Sequence, residues 1–478
     1  METKLSASDG WPIDQFGSSV DIDGDYAVIG SRLDDSNGNN SGSAYIYQRD
    51  SISGDWIEYQ KLVPSDGHAE GRFGRSVAIN GDYVIVGAHM TDGSGVAYAF
   101  YRDGDFWTEQ AKLVPGDPDS LDYFGYDVGL SGDYAIIGAL GDDEAGDSVG
   151  AAYIFQRTGT VWTQTLKLIP TDGAIDDRYG HGVAIDGLYA VVGSHGDDDN
   201  GSASGSAYIY GYNGATWTQR AKLVASDATP SDNFGYSVDM AGDDVIIGAT
   251  AAEGDESGAA YIFRRDVLWT EIAKLLPSDP ATGDEFGASV GIAGGVAVVG
   301  AWHKADSVGA AYVYEDDGGV WTERNKLVSL SGEIGDEFGR EVAISSTDAV
   351  IGAMAADGIV NNAGAAFVYR DITLDVENTP TGGTLPVSMA LNQNYPNPFN
   401  PTTAISYDLA SGTYVELTIH NLIGQQVRSL VQGYQSAGTH SAVWDGKNTT
   451  GQEVAGGIYL YKLTAGSQVL TRKMVFLK

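Results

Sequence analysis

Acidic side chains recur in short glycine-containing loops, and closely spaced carboxylates in such loops are common ligands of calcium. The segment from Gly196 to Gly201, which encloses three aspartates and an asparagine, is the best local candidate. Two further loops carry acidic pairs at corresponding positions. The predicted calcium ligands are Asp197, Asp198, Asp199, Asp142, Asp143, Asp34 and Asp35. The alternative is a solvated acidic rim that keeps the protein soluble without any bound ion.

Arginine, histidine and aromatic residues vary at two positions of a recurring pattern. The first position follows an aromatic-glycine pair and holds Ser18, Arg75, Tyr126, His181, Tyr236, Ala288 and Arg340. The second follows a Gly-Ala or Gly-Ser pair and holds Arg32, His89, Leu140, His195, Thr250, Trp302 and Met354. Such side chains stack on sugars or bind carboxylates, although packing between neighbouring elements is the alternative. The predicted ligand-binding residues are Arg75, Tyr126, His181, Tyr236, Arg340, Trp302, His89 and His195.

No catalytic motif stands out. Residues Gly146 to Gly150 match the pattern GxSxG, but they lie between two predicted strands, whereas a nucleophile elbow requires a strand-to-helix turn. The chain has no cysteine, which excludes a thiolate nucleophile, disulfides and thiolate metal sites. It also has no P-loop, zincin motif or dinucleotide fingerprint. The sequence therefore predicts a protein that is not an enzyme.

The aromatic-glycine pair belongs to a repeat that occurs seven times between Phe16 and Phe338, at intervals of 57, 51, 55, 55, 52 and 52 residues. Each copy contains four short segments of alternating polarity, separated by turns rich in glycine and aspartate. This pattern predicts four antiparallel strands in meander order, which is one blade of a β-propeller.

The ends of the array predict a closed ring. The fourth strand begins with tryptophan in six copies, and the seventh copy has no such segment. An unpaired Lys4-Leu5 lies in phase, 57 residues before Lys61-Leu62. We expect Glu2 to Leu5 to complete the last blade, so that residues 1–372 form a seven-bladed propeller without exposed sheet edges.

The FGxSVAI, VGA, GAAYIF and WTExAKL segments resemble those of the FG-GAP repeat family and, more remotely, the propeller of integrin α chains. The resemblance covers residues 1–372 and implies the same seven-bladed fold. The acidic loops depart from the DxDxDGxxxD spacing of the integrin calcium sites. The segment from Asp21 to Asp25 also does not predict a calcium site, because its counterparts in other copies predict a hairpin turn.

A second domain follows a polar linker that we place at residues 373–388. Residues 389–478 contain about seven short alternating strands, which predict a small Ig-like β-sandwich and an all-β protein overall. This segment resembles the type A C-terminal sorting domain of proteins exported by the type IX secretion system of Bacteroidetes. The resemblance rests on NYPNPFNPTT, on Ile419 to Val427 and on Gly456 to Leu463. It implies export across the outer membrane and recognition by the secretion machinery.

Charge limits the partners. The formal net charge of the chain is −38, and that of the residues before 385 alone is −40. Nucleic acid and anionic membranes are therefore excluded as partners. The chain has no apolar run long enough to span a bilayer and no signal segment after Met1. We expect a secreted or outer-membrane surface protein whose signal peptide is absent from this sequence, the alternative being a cytoplasmic one.

Three functions compete at this stage. The first is a non-enzymatic adhesion or binding protein, whose acidic propeller face recognises an extracellular glycan, peptide or protein, with calcium as a possible cofactor. The second is an extracellular polysaccharide lyase or hydrolase that uses the arginine, histidine and tyrosine side chains. The third is a structural component of a surface layer or filament.

Overall fold

A computed structural model describes the chain from residue 2 to residue 477 with gaps. The residues left undescribed are 1, 255, 346–347, 359, 373–388, 392, 395–396, 400–401, 410–412, 422, 436–437, 450–451, 453, 466–467 and 478. The chain divides into two compact units, Met1–Leu374 and Asp375–Lys478. The predicted linker at residues 373–388 lies outside the described residues.

The first unit consists of antiparallel sheets of four strands, seven in the described residues, each built from strands consecutive in the chain except for the last. Strand β1 (Glu2–Leu5) precedes the first blade, β2 to β5 (Phe16–Asp23, Tyr26–Ser31, Ser43–Arg49, Trp56–Leu62). The second and third blades are β6 to β9 (Val77–Asn80, Tyr83–Ala88, Val96–Asp103, Phe106–Leu113) and β10 to β13 (Val128–Ser131, Tyr134–Ala139, Ala151–Thr158, Val161–Leu168).

The fourth blade is β14 to β17 (Val183–Asp186, Tyr189–Ser194, Ser206–Tyr212, Trp217–Leu223). The fifth and sixth are β18 to β21 (Phe234–Ala241, Asp244–Ala249, Ala259–Arg265, Trp269–Leu275) and β22 to β25 (Val290–Ala293, Val296–Ala301, Ala310–Asp316, Trp321–Leu327). The seventh blade comprises β26 to β28 (Phe338–Ser345, Asp348–Ala353, Ala365–Tyr369). Two single turns, a 3₁₀ turn at Ala252–Gly254 and a helical turn at Lys304–Ser307, are the helices of the described residues.

Strand β1 completes the seventh blade, as predicted. It pairs antiparallel with β28, with Glu2 opposite Tyr369 and Leu5 opposite Ala366. Parallel bridges join the start of each third strand to the next blade, and the bridge between Gly364 and Phe16 joins the last blade to the first. The first strand and the first aromatic-glycine pair therefore both close the ring. The outer side of β28 is paired with β1 and is not an exposed edge.

Close contact between blades explains the glycine of each aromatic-glycine pair. Gly74 has φ of +86°, and a Cβ atom there would lie 2.2 Å from the carbonyl oxygen of Ser43 in the preceding blade. The aromatic partner Phe73 is buried against Tyr98, with 5.6 Å between ring centroids. Only glycine allows this approach, so the repeat fixes how each inner strand sits against its neighbour.

The second unit contains two sheets. They are built from β29 to β35 (Ala390–Leu391, Thr403–Leu409, Thr413–His420, Gln426–Gln435, Gly438–Trp444, Gly457–Ala465, Gln468–Phe476), in the orders β29-β30-β33 and β32-β31-β34-β35. Buried side chains including Trp444, Tyr407 and Tyr461 form its core. This is the predicted Ig-like sandwich.

Candidate functional site

The inner strands of the seven blades surround a central channel that encloses a cavity of about 510 Å³. Its wall includes every residue that follows an aromatic-glycine pair, namely Ser18, Arg75, Tyr126, His181, Tyr236, Ala288 and Arg340. The repeat thus places one side chain from each of the seven blades at one level of the channel, near the end where the loops between blades begin. We call this level the channel mouth. That its residues bind a ligand stays a prediction.

Three of these side chains form a continuous aromatic arc. The rings of Tyr126 and His181 lie 5.1 Å apart, and those of His181 and Tyr236 lie 4.5 Å apart. His181 Nδ1 lies 2.8 Å from the backbone carbonyl oxygen of Tyr236. Burial, with a smaller contribution from His195, lowers the pKa of His181 well below its usual value. The arc is therefore uncharged at neutral pH.

Three predicted ligand contacts lie behind the channel wall instead of on it. His195 and His89 are buried, and their rings pack against His181 at 4.4 Å and against Tyr126 at 5.5 Å. Burial lowers the pKa of His195 to about 4 and that of His89 to about 2, so both are neutral. Trp302 donates a hydrogen bond from Nε1 to the Glu285 carboxylate over 2.9 Å. These side chains support the wall.

From the second variable position, Arg32 and Met354 reach the wall. Arg32 donates from Nε to Gln15 Oε1 over 2.7 Å, and its Nη2 lies 3.7 Å from Met354 Sδ. Burial and the neighbouring Arg75 lower the pKa of Arg32 to about 10. The sequence places Arg32 at the second variable position of the repeat, but Arg32 was not among the predicted site residues.

Six acidic residues on or directly before the inner strands line the channel and were not predicted as site residues: Asp21, Asp23, Asp127, Asp186, Asp239 and Glu341. Asp21 accepts hydrogen bonds from its neighbour Ile22 and from the Ile79 backbone in the next blade, at 2.8 and 2.7 Å. Burial raises the pKa of Asp21, Asp239 and Glu341 to about 7 in each case. Their signal in the sequence is an acid at a position that holds alanine, glycine or serine in most of the other blades.

The acidic loops do not form the predicted calcium sites. The Asp197 carboxylate lies 2.7 Å from Lys222 Nζ and also accepts hydrogen bonds from Tyr208 and Ser206. Asp142 and Asp34 pair in the same way, with Lys167 and Lys61, each at 2.8 Å. A lysine ammonium thus lies where a cation would be coordinated.

The other predicted calcium ligands have different roles. Asp199 joins Lys222, at 2.6 Å. Asp198 and Asp35 accept backbone hydrogen bonds within their own loops, from Ala203 and Asn40. Asp143 is exposed. Within the described residues no three acidic or histidine side chains surround a common point that suits a metal ion, so the donor set does not fit calcium.

The lysine clusters are a repeated structural feature of the propeller. In six blades the lysine of the outer strand lies within 6 Å of the ring of a tyrosine in the third strand and pairs with loop carboxylates. The six pairs are Lys61 and Tyr45, Lys112 and Tyr98, Lys167 and Tyr153, Lys222 and Tyr208, Lys274 and Tyr261, and Lys326 and Tyr312. Each of these lysines neutralises part of the acidity of its loops, and the loop face carries a lysine-bridged acidic rim. That this face binds a ligand stays a prediction.

A closed ring of seven four-stranded blades around a channel whose wall varies from blade to blade defines a seven-bladed β-propeller. The FG-GAP repeat model matches residues 1–47, 56–100, 107–155, 162–210, 217–263, 269–314 and 321–369, and the chain belongs to this family. Residues 397–468 match the FlgD Ig-like domain. Among curated proteins, none matches the chain significantly.

Solved structures of similar fold include PorZ, described as a surface component of the type IX secretion system of Porphyromonas gingivalis, at 12% identity and a TM-score of 0.41. The match covers 96% of this chain and 65% of PorZ, so the chain spans about two thirds of that structure's length. Sqt1 of Saccharomyces cerevisiae is similar at 10% identity and a TM-score of 0.42, over 92% of this chain and 97% of Sqt1. A putative 6-phosphogluconolactonase of Bacteroides fragilis is similar at 11% identity and a TM-score of 0.45, over 65% of this chain and 84% of that protein.

Proposed function

We propose that this protein is a secreted or cell-surface binding protein without enzymatic activity, whose propeller takes an extracellular ligand at the channel mouth. One observation carries the proposal. The blades repeat nearly the same residues in their buried strands, but the seven channel-mouth positions hold five different residue types, which include arginine, tyrosine and histidine. Packing alone does not require such variety in one ring, whereas recognition of an asymmetric ligand does.

The aromatic arc indicates a glycan as the first ligand to test. Tyr126, His181 and Tyr236 present flat rings to the channel, and such rings pack against the apolar faces of sugars. The cavity volume falls within the range of small-molecule sites, roughly 300 to 1,000 Å³. A peptide or protein ligand is the alternative that the same experiment addresses.

The test is binding of the full chain to an array of glycans and acidic and neutral peptides. We expect saturable binding to one class, lost in Tyr236→Ala and in Tyr126→Ala, and retained in Arg220→Ala on an outer strand. Circular dichroism confirms that each variant folds. An array without binding, or binding that both tyrosine variants retain, overturns the proposal. Release of shortened sugars would instead establish that the protein is a polysaccharide-degrading enzyme. Ordered particles in electron micrographs would establish that it is a component of a surface layer.

We further propose that the second unit directs export through the type IX secretion machinery and attachment to the cell surface. The sequence segment that resembles a sorting domain also holds this unit together. Asn394 donates from Nδ2 to Thr403 over 2.9 Å, and Phe399 stacks on Phe476 with 4.9 Å between ring centroids. No helix in the described part of the chain has the length and apolar character needed to cross a bilayer.

Export is tested in a bacterium that has this secretion system, with a signal peptide placed before residue 1. We expect the full chain at the cell surface or in the medium, and the chain ending at residue 388 in the periplasm. The variant Ile423→Ala changes an exposed side chain within the motif, so we expect the sandwich to stay folded. Equal export of the full and the shortened chain contradicts the assignment.

A further inference from the structure

Three arginines from consecutive blades converge on the channel mouth. Arg340 belongs to the seventh blade, Arg32 to the first and Arg75 to the second, and the closed ring makes these blades neighbours. All three line the same cavity. The next three blades hold the uncharged arc of Tyr126, His181 and Tyr236, which begins where Arg75 contacts Tyr126. The channel mouth is therefore cationic on one side and aromatic on the other, inside a propeller of large negative charge.

Each of the three guanidinium groups is in direct contact with uncharged side chains. Arg75 lies over the Tyr126 ring and Arg340 over the Trp302 ring, both at 4.0 Å from the ring centroid. Arg32 is held by Gln15 and Met354. Stacking on an aromatic face orients the plane of a guanidinium and leaves donors on its edge for other partners, and all three arginines line the channel.

None of these three arginines has a carboxylate in direct contact. Among the described residues none of the three lies within ion-pair distance of a carboxylate, whereas six of the ten other propeller arginines do: Arg49, Arg102, Arg157, Arg264, Arg265 and Arg324. Enclosing three like charges without a direct partner is costly. An arrangement of this kind is typical of a site that an anion completes.

Glu341 is an acidic side chain of the channel that interacts with all three arginines. It lines the same cavity, and Arg75, Arg340 and Arg32 all act on it electrostatically, as does Asp127. Its Oε2 lies 3.5 Å from Ser289 Oγ. Burial raises the pKa of Glu341 to about 7, so this side chain neutralises the arginines only in part at neutral pH.

We propose that Arg32, Arg75 and Arg340 form a carboxylate-binding site for an acidic sugar of the uronic acid class, which enters the channel mouth with its ring against the aromatic arc. The planar forks of the arginines match a carboxylate, and the arc supplies the surface for the sugar ring. This inference rests on the proposed glycan-binding function and names its ligand. A closed channel wall favours the end of a glycan chain over its middle.

The test is calorimetric titration of the full chain with glucuronate, an oligogalacturonide, glucose and an acidic peptide at two salt concentrations. We expect glucuronate to bind at least tenfold more tightly than glucose, with weaker binding at high salt. Tighter binding of the oligogalacturonide than of the monosaccharide assigns the site to a chain end. In Arg75→Met and Arg340→Met we expect at least a tenfold loss, and in Glu341→Gln a gain, because a competing carboxylate is removed.

The matched control is Arg220→Met on the outer strand β17, which we expect to bind as the unmodified protein does. Unchanged melting temperatures show that a loss of binding is not a loss of folding. Equal binding of glucose and glucuronate that still requires Tyr236 overturns the carboxylate site but leaves the glycan-binding function standing. Stronger binding of the acidic peptide overturns the sugar assignment, and no binding of any probe overturns both.

Discussion

The Asp197 carboxylate lies 2.7 Å from the Lys222 ammonium, at the point where two loops of the fourth blade meet. The Asp197 side chain is 3% exposed and that of Lys222 is 18% exposed. Lys222 also contacts Asp172 and Asp199, at 2.9 and 2.6 Å, so one cation links the loop before the blade to the loop within it. The lysine therefore fixes these two loops relative to each other.

Replacing this lysine should destabilise the propeller. In Lys222→Met the buried Asp197 loses its cation, and we expect a loss of about 3 kcal/mol in the free energy of unfolding. Urea denaturation of the full chain measures it. The matched control is Lys4→Met, since Lys4 is exposed and lies over Phe367, not over a tyrosine bonded to aspartate. An equal effect of the two substitutions contradicts the role assigned to the cluster.

Calcium should have little effect on the stability of this protein. Four of the seven carboxylates predicted to bind it, Asp34, Asp142, Asp197 and Asp199, pair with lysine, and a calcium ion would have to displace an ammonium at each of these clusters. We expect the melting temperature to change by less than about 1 °C between EDTA and millimolar calcium, in contrast to sites whose ligation stabilises the fold. A rise of several degrees on adding calcium would falsify this account of the loops.

Closure by the first strand should contribute measurably to stability. Leu5 is 3% exposed and packs in the cluster that contains Val20 and Ile22 of the first blade. We expect Leu5→Ala to cost about 2 to 5 kcal/mol, because it removes buried methyl groups at the join. Leu330→Ala, at an 87% exposed side chain, is the matched control and should change stability by less than about 0.5 kcal/mol.

Removing residues 1–5 altogether tests closure in a second way. Strand β28 would then present an unpaired edge, and exposed edges pair with other chains. Size-exclusion chromatography should show dimers or larger species for the shortened chain and a single species for Leu330→Ala. A shortened chain that stays as stable and as dispersed as the full one would show that the first strand is dispensable.

The fold could be predicted because each blade repeats the same local information. The glycine after Phe73 fixes the contact with the preceding blade, and the recurring apolar segments form strands that are buried on both faces between neighbouring blades. The phase of Lys4-Leu5 then identified the strand that completes the ring. The position after each aromatic-glycine pair was correctly placed on the channel because the repeat carries every blade into the same orientation.

The chemistry of the acidic loops could not be predicted in the same way. A row of aspartates looks alike in sequence whether calcium or a lysine ammonium lies among them. The pairing of Asp197 with Lys222 spans 25 positions and depends on the direction of a long side chain at the end of an outer strand. Likewise, the burial of His89 and His195 behind the wall depends on the size of Tyr126 and His181 in front of them.

The buried acids of the channel predict how stability depends on pH. Asp239 accepts backbone hydrogen bonds from Met240 and Ile292, both at 2.8 Å, and burial raises the pKa of its carboxyl to about 7. The pKa of Asp14 and that of Asp177 are likewise raised by burial, to about 6. Such groups stabilise the fold when protonated, so their contribution is complete below about pH 4 and is lost as the pH rises towards 7.

The loop acids that pair with lysine act in the opposite direction. Although burial opposes it, the hydrogen bond from Lys222 lowers the pKa of Asp172, and this contribution to stability is lost as the pH falls below about 4. The two groups together predict maximal stability in mildly acid solution. We expect the free energy of unfolding to peak near pH 5 and to decline towards pH 8, as measured by urea denaturation across this range.

Asp239→Asn isolates the contribution of one buried acid. The amide keeps an oxygen that accepts a backbone hydrogen bond, but it cannot ionise. Relative to the unmodified protein, the variant should gain about 1 to 3 kcal/mol between pH 5 and pH 8.5, because only the unmodified protein must bury a charge at the higher pH. Asp105→Asn, at an exposed turn, should show no such gain. Parallel pH profiles for Asp239→Asn and the unmodified protein would show that the Asp239 carboxyl is already ionised in the folded state at pH 5, and that water in the channel solvates it.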